Sequence, residues 1–130
     1  MDTTEVQACV DGSAQGTMTF PDVVGRLLAT GVERYTVDLV SMEHRTYGQD
    51  GEVETTPMPL AAGAVAETFD AAAVQAAILG AQQGRILYPE FVERIRAAGV
   101  ASYVAYLTGR RVVYTGRLGD AHVEPFPGQP

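Results

Sequence analysis

A chain of 130 residues, 46% of them hydrophobic, has the length of one ordinary domain and can bury a core without covalent staples. Its net charge of −7 works against binding the phosphate backbone of nucleic acids, which rests on clustered Lys and Arg, so no nucleic-acid partner is expected. The single cysteine, Cys9, excludes an internal disulfide, and no run approaches the roughly 18 apolar residues that cross a bilayer, so no membrane partner is expected and a cytoplasmic location fits.

The first expected element is a helix opened by Asp2, whose carboxylate can cap free N–H groups. Glu5 completes a capping-box pattern, and Met1 is placed to staple onto Val6. Val6, Cys9 and Val10 recur at helical spacing, and Gln15-Gly16 closes the end. A second helix begins at Phe20-Pro21-Asp22, with proline in the first turn and an acid beside the positive end of the helix dipole. Its buried stripe is Phe20, Val23, Val24, Leu27 and Leu28, and Ala29-Thr30-Gly31-Val32 stops it. Beyond Gly31 the pattern turns from helical to alternating, with Tyr35, Val37 and Leu39 on one face of a strand. A loop at Ser41-Met42-Glu43 then returns the chain as a strand whose Arg45 and Tyr47 share that face. Asp50-Gly51 turns into a short third strand, Glu52 to Thr55.

From Asp70 the same series begins again. Residues 2–39, shifted by 68 positions, meet 15 identical residues in 38 ungapped pairs, against about two or three expected from ordinary residue frequencies. Asp70, Val74, Ala77, Ile78 and Gln83-Gly84 repeat the first helix. Tyr88-Pro89-Glu90, Phe91, Val92, Ile95 and Gly99-Val100 repeat the second, and Tyr103, Ala105 and Leu107 the strand. This hairpin turns at Thr108-Gly109 and returns through Val112 and Tyr114. Matching Tyr47 to Tyr114 needs an offset of 67, which implies that the first loop is one residue longer than the second. Gly119-Asp120 leads to a last strand, Ala121 to Glu124, and the tail from Pro125 to Pro130 is expected to fray. The expected fold is therefore α+β, a tandem duplication of a helix-helix-strand-strand-strand unit. Residues 2–56 and 70–125, joined by a linker at 57–69, form a single domain with a pseudo-twofold and an antiparallel sheet whose helices cover one face.

Ala81-Gln82-Gln83-Gly84, Tyr88-Pro89-Glu90-Phe91 and Ala98-Gly99-Val100-Ala101-Ser102-Tyr103 together resemble the YdfO-like family of prophage-associated bacterial domains. The first copy is similar through Phe20-Pro21, Gly31-Val32-Glu33-Arg34-Tyr35 and Tyr47-Gly48. The resemblance spans nearly the whole chain and implies an α+β fold and a phage or prophage origin, where the label "phage envelope protein" is sometimes attached. It implies no mechanism. The chain departs from the family pattern in its alanine-rich linker and in the lack of a cysteine on the second helix face.

No phosphate loop, dinucleotide fingerprint, paired His/Cys spacing or nucleophile elbow occurs, so no cofactor and no metal are expected. Cys9, opposite Ala77 in the repeat, reads as a small core residue. His44 and His122, 78 residues apart, read as exposed strand histidines. The identities shared by the copies are caps, stops and packing residues, which leaves the sheet face opposite the helices as the place where the copies differ. In the register above, that face carries Thr36, Asp38, Val40, His44 and Thr46 from one hairpin. Val104, Tyr106, Thr108, Arg111 and Val113 come from the other. Asp38, His44, Tyr106 and Arg111 form the candidate binding surface for a protein partner, a second copy of the chain as a homodimer, or a small ligand. The function read from the sequence is a non-enzymatic interaction or ligand-binding module. The alternative is a small enzyme working in a cleft between the two repeats, with His44 or His122 as acid or base near Asp38 or Glu124.

Overall fold

The computed structural model of the protein describes residues 1–128. In chain order the elements are α1 (Thr3–Gln15), α2 (Phe20–Ala29), β1 (Val32–Asp38), β2 (Glu43–Gly48), β3 (Val53–Pro57), α3 (Ala71–Gln82), α4 (Tyr88–Ala97), β4 (Val100–Tyr106), β5 (Arg111–Gly116) and β6 (Ala121–Pro125). The fold is α+β. The strands form one antiparallel sheet in the order β3-β2-β1-β4-β5-β6, so the two three-stranded meanders join edge to edge through β1 and β4.

Local chemistry accounts for the ends of the helices. The Asp2 carboxylate accepts the N–H groups of Thr4 and Glu5 at 3.0 and 3.2 Å, and Asp70 accepts that of Ala73 at 3.0 Å. The capping box lies at α2, where Thr19 and Asp22 bond each other's backbone reciprocally. Glu5, expected to complete such a box at α1, instead reaches the Arg26 guanidinium on α2 at 2.5 Å, because an ion pair between the two helices is within its reach. Gly31 and Gly99 both stand at positive φ, +84° and +94°, where the chain leaves the helix for β1 and β4.

One hydrophobic cluster lies between the sheet and all four helices. It takes Val6, Cys9 and Val10 from α1, Val23 and Leu27 from α2, Val74, Ala77 and Ile78 from α3, and Phe91, Val92 and Ile95 from α4. The sheet supplies Tyr35, Val37, Tyr103, Ala105, Val112 and Tyr114 from alternate positions. Only one sheet face is covered, as is common for antiparallel sheets. The segment after β3 is tied down: Arg96 of α4 is buried beneath it and donates from Nη1 to the Ala61 carbonyl at 3.0 Å, while the Ala66 N–H bonds the Arg96 carbonyl.

The first hairpin departs from the expected register. Asp38 pairs with Glu43 and Tyr106 with Arg111, so both loops have four residues and neither is longer. Each loop ends on a non-glycine residue at positive φ, Met42 at 57° and Arg110 at 59°. Val37 therefore faces His44 and Tyr35 faces Thr46, which puts His44 and Thr46 beneath the helices and Arg45 and Tyr47 on the open face. With a side-chain period of two, the assumed extra loop residue inverted the whole strand. The tail also differs from expectation. Pro125 closes β6, and Phe126 is buried with its ring edge-on to Phe20 at 5.3 Å and its N–H on the Arg110 carbonyl. Gln129 and Pro130 lie outside the described residues.

Gly31 and Gly99 separate two costs. A Cβ at Gly31 meets nothing within 4 Å, whereas one at Gly99 falls 2.4 Å from the Thr68 carbonyl oxygen and 2.8 Å from Phe69 Cα. Gly31→Ala is expected to lose about 1 kcal/mol from left-handed strain alone. Gly99→Ala adds an overpacking cost and is expected to lose about 2–4 kcal/mol in total. Urea unfolding of the two variants side by side measures the difference, and equal losses exclude the contact with the Thr68–Phe69 backbone.

Candidate functional site

The pairing of six strands arranges the outward side chains in three rows of six. One outer row reads Pro57, Glu43, Asp38, Ser102, Thr115, Ala121. The central row reads Thr55, Arg45, Thr36, Val104, Val113, Val123, and the other outer row Val53, Tyr47, Arg34, Tyr106, Arg111, Pro125. The half of this face built by β4–β6 is mostly apolar, with Val123 50% and Tyr106 36% exposed. The half built by β1–β3 holds four of its five charges: Glu43, Asp38, Arg45 and Arg34. A shallow depression of about 220 Å³ crosses the β1–β4 seam, lined by Thr36, Asp38, Glu43, Arg45, Ser102 and Val104.

Three of the four expected surface residues lie on this face, and His44 does not. Asp38 sits at the depression, with Oδ1 accepting the N–H groups of Val40 and Ser41 at 2.8 and 2.9 Å, so its carboxylate shapes the turn. Tyr106 and Arg111 stand side by side as a cross-strand pair at the opposite end of the strands. Residues that the sequence reading missed complete the face. Arg34 forms an ion pair with Glu33 and lies 4.2 Å over the ring of Tyr47. Glu43, Arg45 and Ser102 line the depression. Keeping the offset of 68 through the second strand, instead of matching tyrosine to tyrosine, would have found Glu43, Arg45 and Tyr47.

His44 is 6% exposed and stacks on Tyr35, ring centroids 4.6 Å apart, with Nδ1 3.2 Å from the Thr46 hydroxyl. It belongs to a buried aromatic cluster. Tyr35 is edge-on to Tyr103, Tyr103 lies against Tyr114, and Tyr114 contacts Phe91 and, through ring centroids 6.3 Å apart, His122. The Tyr88 and Tyr103 hydroxyls share a hydrogen bond of 2.5 Å. Burial pushes the Tyr88 phenol up to about 12 and raises Tyr35, Tyr103 and Tyr114 as well, so these four phenols hold their protons at neutral pH. Cys9 is buried, and its thiol is raised by that burial and then by Glu5, so it is no thiolate nucleophile.

Of the alternative acid–base site, His122 and Glu124 come together while His44 and Asp38 do not. His122 Nε2 lies 3.1 Å from Glu124 Oε1 on the edge strand β6, His44 is buried beneath β2, and Asp38 is on the open face. No cleft separates the halves at their junction, because β1 and β4 are hydrogen-bonded along their length. Among the described residues no group of three or more His, Cys, Asp or Glu side chains is placed to hold a metal, and no helix is long and apolar enough to cross a membrane. A second surface hollow, about 500 Å³ and wide open, runs along α2 between Met18 and Arg26. Its ionic groups are already engaged, Asp22 in the helix cap and Arg26 with Glu5.

No family model matches the chain, and no curated protein matches it.

Burial holds the His44 imidazole down at about 4, against about 6.5 for an exposed one. Between these values the unfolded chain binds a proton that the folded chain refuses, so stability falls as pH drops from 6.5 towards 4. The full loss is about 3 kcal/mol. His44→Val installs the residue found at the matching position, Val112, and is expected to flatten this part of the urea-midpoint profile. Parallel profiles for the variant and the unmodified protein exclude a buried neutral imidazole.

Proposed function

We propose that this chain is a duplicated, YdfO-like scaffold of phage or prophage origin that works as a non-enzymatic protein-interaction module, with the open sheet face as its contact surface. The duplication is supported by the order of elements, ααβββ twice, and by the central register, in which Thr36 lies opposite Val104, its own counterpart 68 positions on. Hydrogen bonds at the seam repeat the relation: Leu39 N–H to Ala101 O, and Leu107 N–H to Glu33 O. The left-handed pair Met42 and Arg110 adds to it.

The observation that carries the interaction reading is the distribution of divergence. Beneath the helices the halves share Tyr35/Tyr103, Val32/Val100 and Leu39/Leu107, alongside the differing Val37/Ala105, His44/Val112 and Thr46/Tyr114. On the open face the four central strands share nothing, since Arg34/Ser102, Thr36/Val104, Asp38/Tyr106, Glu43/Arg111, Arg45/Val113 and Tyr47/Thr115 all differ, and Pro57/Pro125 on the edge strands is the one identity among the eighteen. A face of mixed tyrosine, arginine and valine has the composition of interface surfaces. The catalytic reading has one of its pairs, His122 with Glu124, but that pair stands on the edge strand β6 and not in a cleft between the halves, and His44 and Asp38 lie on opposite faces of the sheet.

A photo-crosslinking residue at Val113, in the middle of the open face, is expected to give a discrete protein adduct in the producing cell. The same residue at Leu79, exposed on α3, serves as the control and is expected to give none. Adducts of equal yield at both positions, or none at Val113, overturn the open face as a contact surface.

A further inference from the structure

We propose that the partner of the open face is a second copy of this chain, docked crosswise so that Glu43 of each copy meets Arg111 of the other. The inference rests on the interaction reading above and adds the identity of the occupant. Glu43 on β2 and Arg111 on β5 occupy diagonal corners of the face, in opposite outer rows. Both are exposed, and neither belongs to an ion pair within the chain among the described residues.

The spacing of a sheet favours one arrangement. Three strand intervals separate β2 from β5, roughly 14 Å, and four residues along a strand separate the outer rows, roughly 13 Å. Because these displacements are nearly equal, the two corners lie on the diagonal of a near-square. A second copy turned over about the other diagonal, which runs from Tyr47 through the Thr36–Val104 pair to Thr115, sets Glu43 over Arg111 and Arg111 over Glu43 at once. The strands of the two sheets then cross near 90°, one of the two favoured ways for sheets to pack. Asp38, beside Glu43, falls within reach of the same Arg111. Arg45 falls midway between the partner's Tyr106 and its Arg34, whose charge is already engaged by Glu33, and the two Tyr47 rings meet on the axis. A contact of this kind is isologous and closes on itself as a dimer.

Net charge favours the same face. Its three arginines, Arg34, Arg45 and Arg111, are balanced by Asp38, Glu43 and the Glu33 that pairs with Arg34, so the face is neutral while the chain carries −7. The remaining surface therefore holds the whole −7 and repels its own copies, and this face is where two chains approach with the least of that penalty. Faces crossed at 90° overlap over β2, β1, β4 and β5 only, four strands by three rows or twelve outward side chains a side, which is below the roughly 20–30 of a standard interface and fits a weak, concentration-dependent dimer.

Sedimentation equilibrium of the full chain from micromolar to millimolar concentration tests this. A monomer–dimer equilibrium that weakens with salt is expected. Glu43→Arg and Arg111→Glu, each checked for an unchanged melting curve, are each expected to weaken association at least about tenfold. Mixing the two variants is expected to restore it as a heterodimer, because the two substituted positions then face each other with opposite charges while the unmodified Arg111 and Glu43 remain paired. The doubly exchanged chain, Glu43→Arg with Arg111→Glu, is expected to dimerise by itself. A protein that stays monomeric throughout, or a dimer indifferent to both reversals, overturns the proposal. If Val113 crosslinks to a different protein in either of those cases, the interaction module stands and only self-association falls.

Discussion

The antiparallel contact between β1 and β4 is the constraint on which the rest of the molecule depends. It joins two three-stranded meanders into one sheet of six, and its register decides which residues of both halves lie beneath the helices. Tyr35, Val37, Tyr103 and Ala105 point inward because Thr36 stands opposite Val104. A slip of one residue would send these four to water and bring Arg34, Asp38 and Tyr106 inside, an exchange no core of this size could absorb. The contact also gives the helices a common floor, since side chains from all four reach the same buried cluster.

The cluster differs between the two halves by an exchange of volume across neighbouring inward positions. Where β5 presents Val112 and Tyr114, β2 presents His44 and Thr46. Tyr103 therefore packs on a tyrosine directly across the ladder, while Tyr35 stacks on the diagonal imidazole. An aromatic core of this sort brings polar atoms with it. The Tyr88–Tyr103 and His44–Thr46 hydrogen bonds satisfy several of them, and no buried side-chain polar atom among the described residues lacks a partner. Burial is the first cause of the raised phenols, with their neighbours in the cluster adding to it, and the cause of the depressed imidazole, so packing accounts for these titration shifts.

Most of the framework is legible in the sequence because its signals are local. Asp2 and Asp70 cap, Pro21 and Pro89 start helices, Gly31 and Gly99 stop them, and the alternation around Tyr35 and Tyr103 marks the central strands. The second strand of the first half is not legible. Its inward residues, His44 and Thr46, are polar, and its outward Tyr47 is aromatic, so the hydropathy pattern runs against the true facing. Met42 and Arg110 take a left-handed conformation that neither residue type advertises, which hides the equality of the two loops. The candidate face inherits the error: the pattern places Asp38, Tyr106 and Arg111 on it correctly, adds His44 wrongly, and leaves out Glu43, Arg45 and Tyr47.

The proposed duplication and the proposed dimer bear on each other through a symmetry argument. A face with an unbroken local twofold carries the same side chain at both of the corners held by residues 43 and 111. Turning a copy over about the other diagonal then sets like against like, which repels if the residue is charged and contributes little if it is not. Divergence at one of the two corners suffices to change this. With glutamate at one and arginine at the other, every crosswise contact between those corners pairs opposite signs, and it does so twice in each dimer. The inward residues had no such freedom, because a change there has to be matched by a neighbour, as Thr46 is by His44. Duplication followed by divergence on the uncovered face is therefore a short route from a pseudo-symmetric scaffold to a self-complementary one.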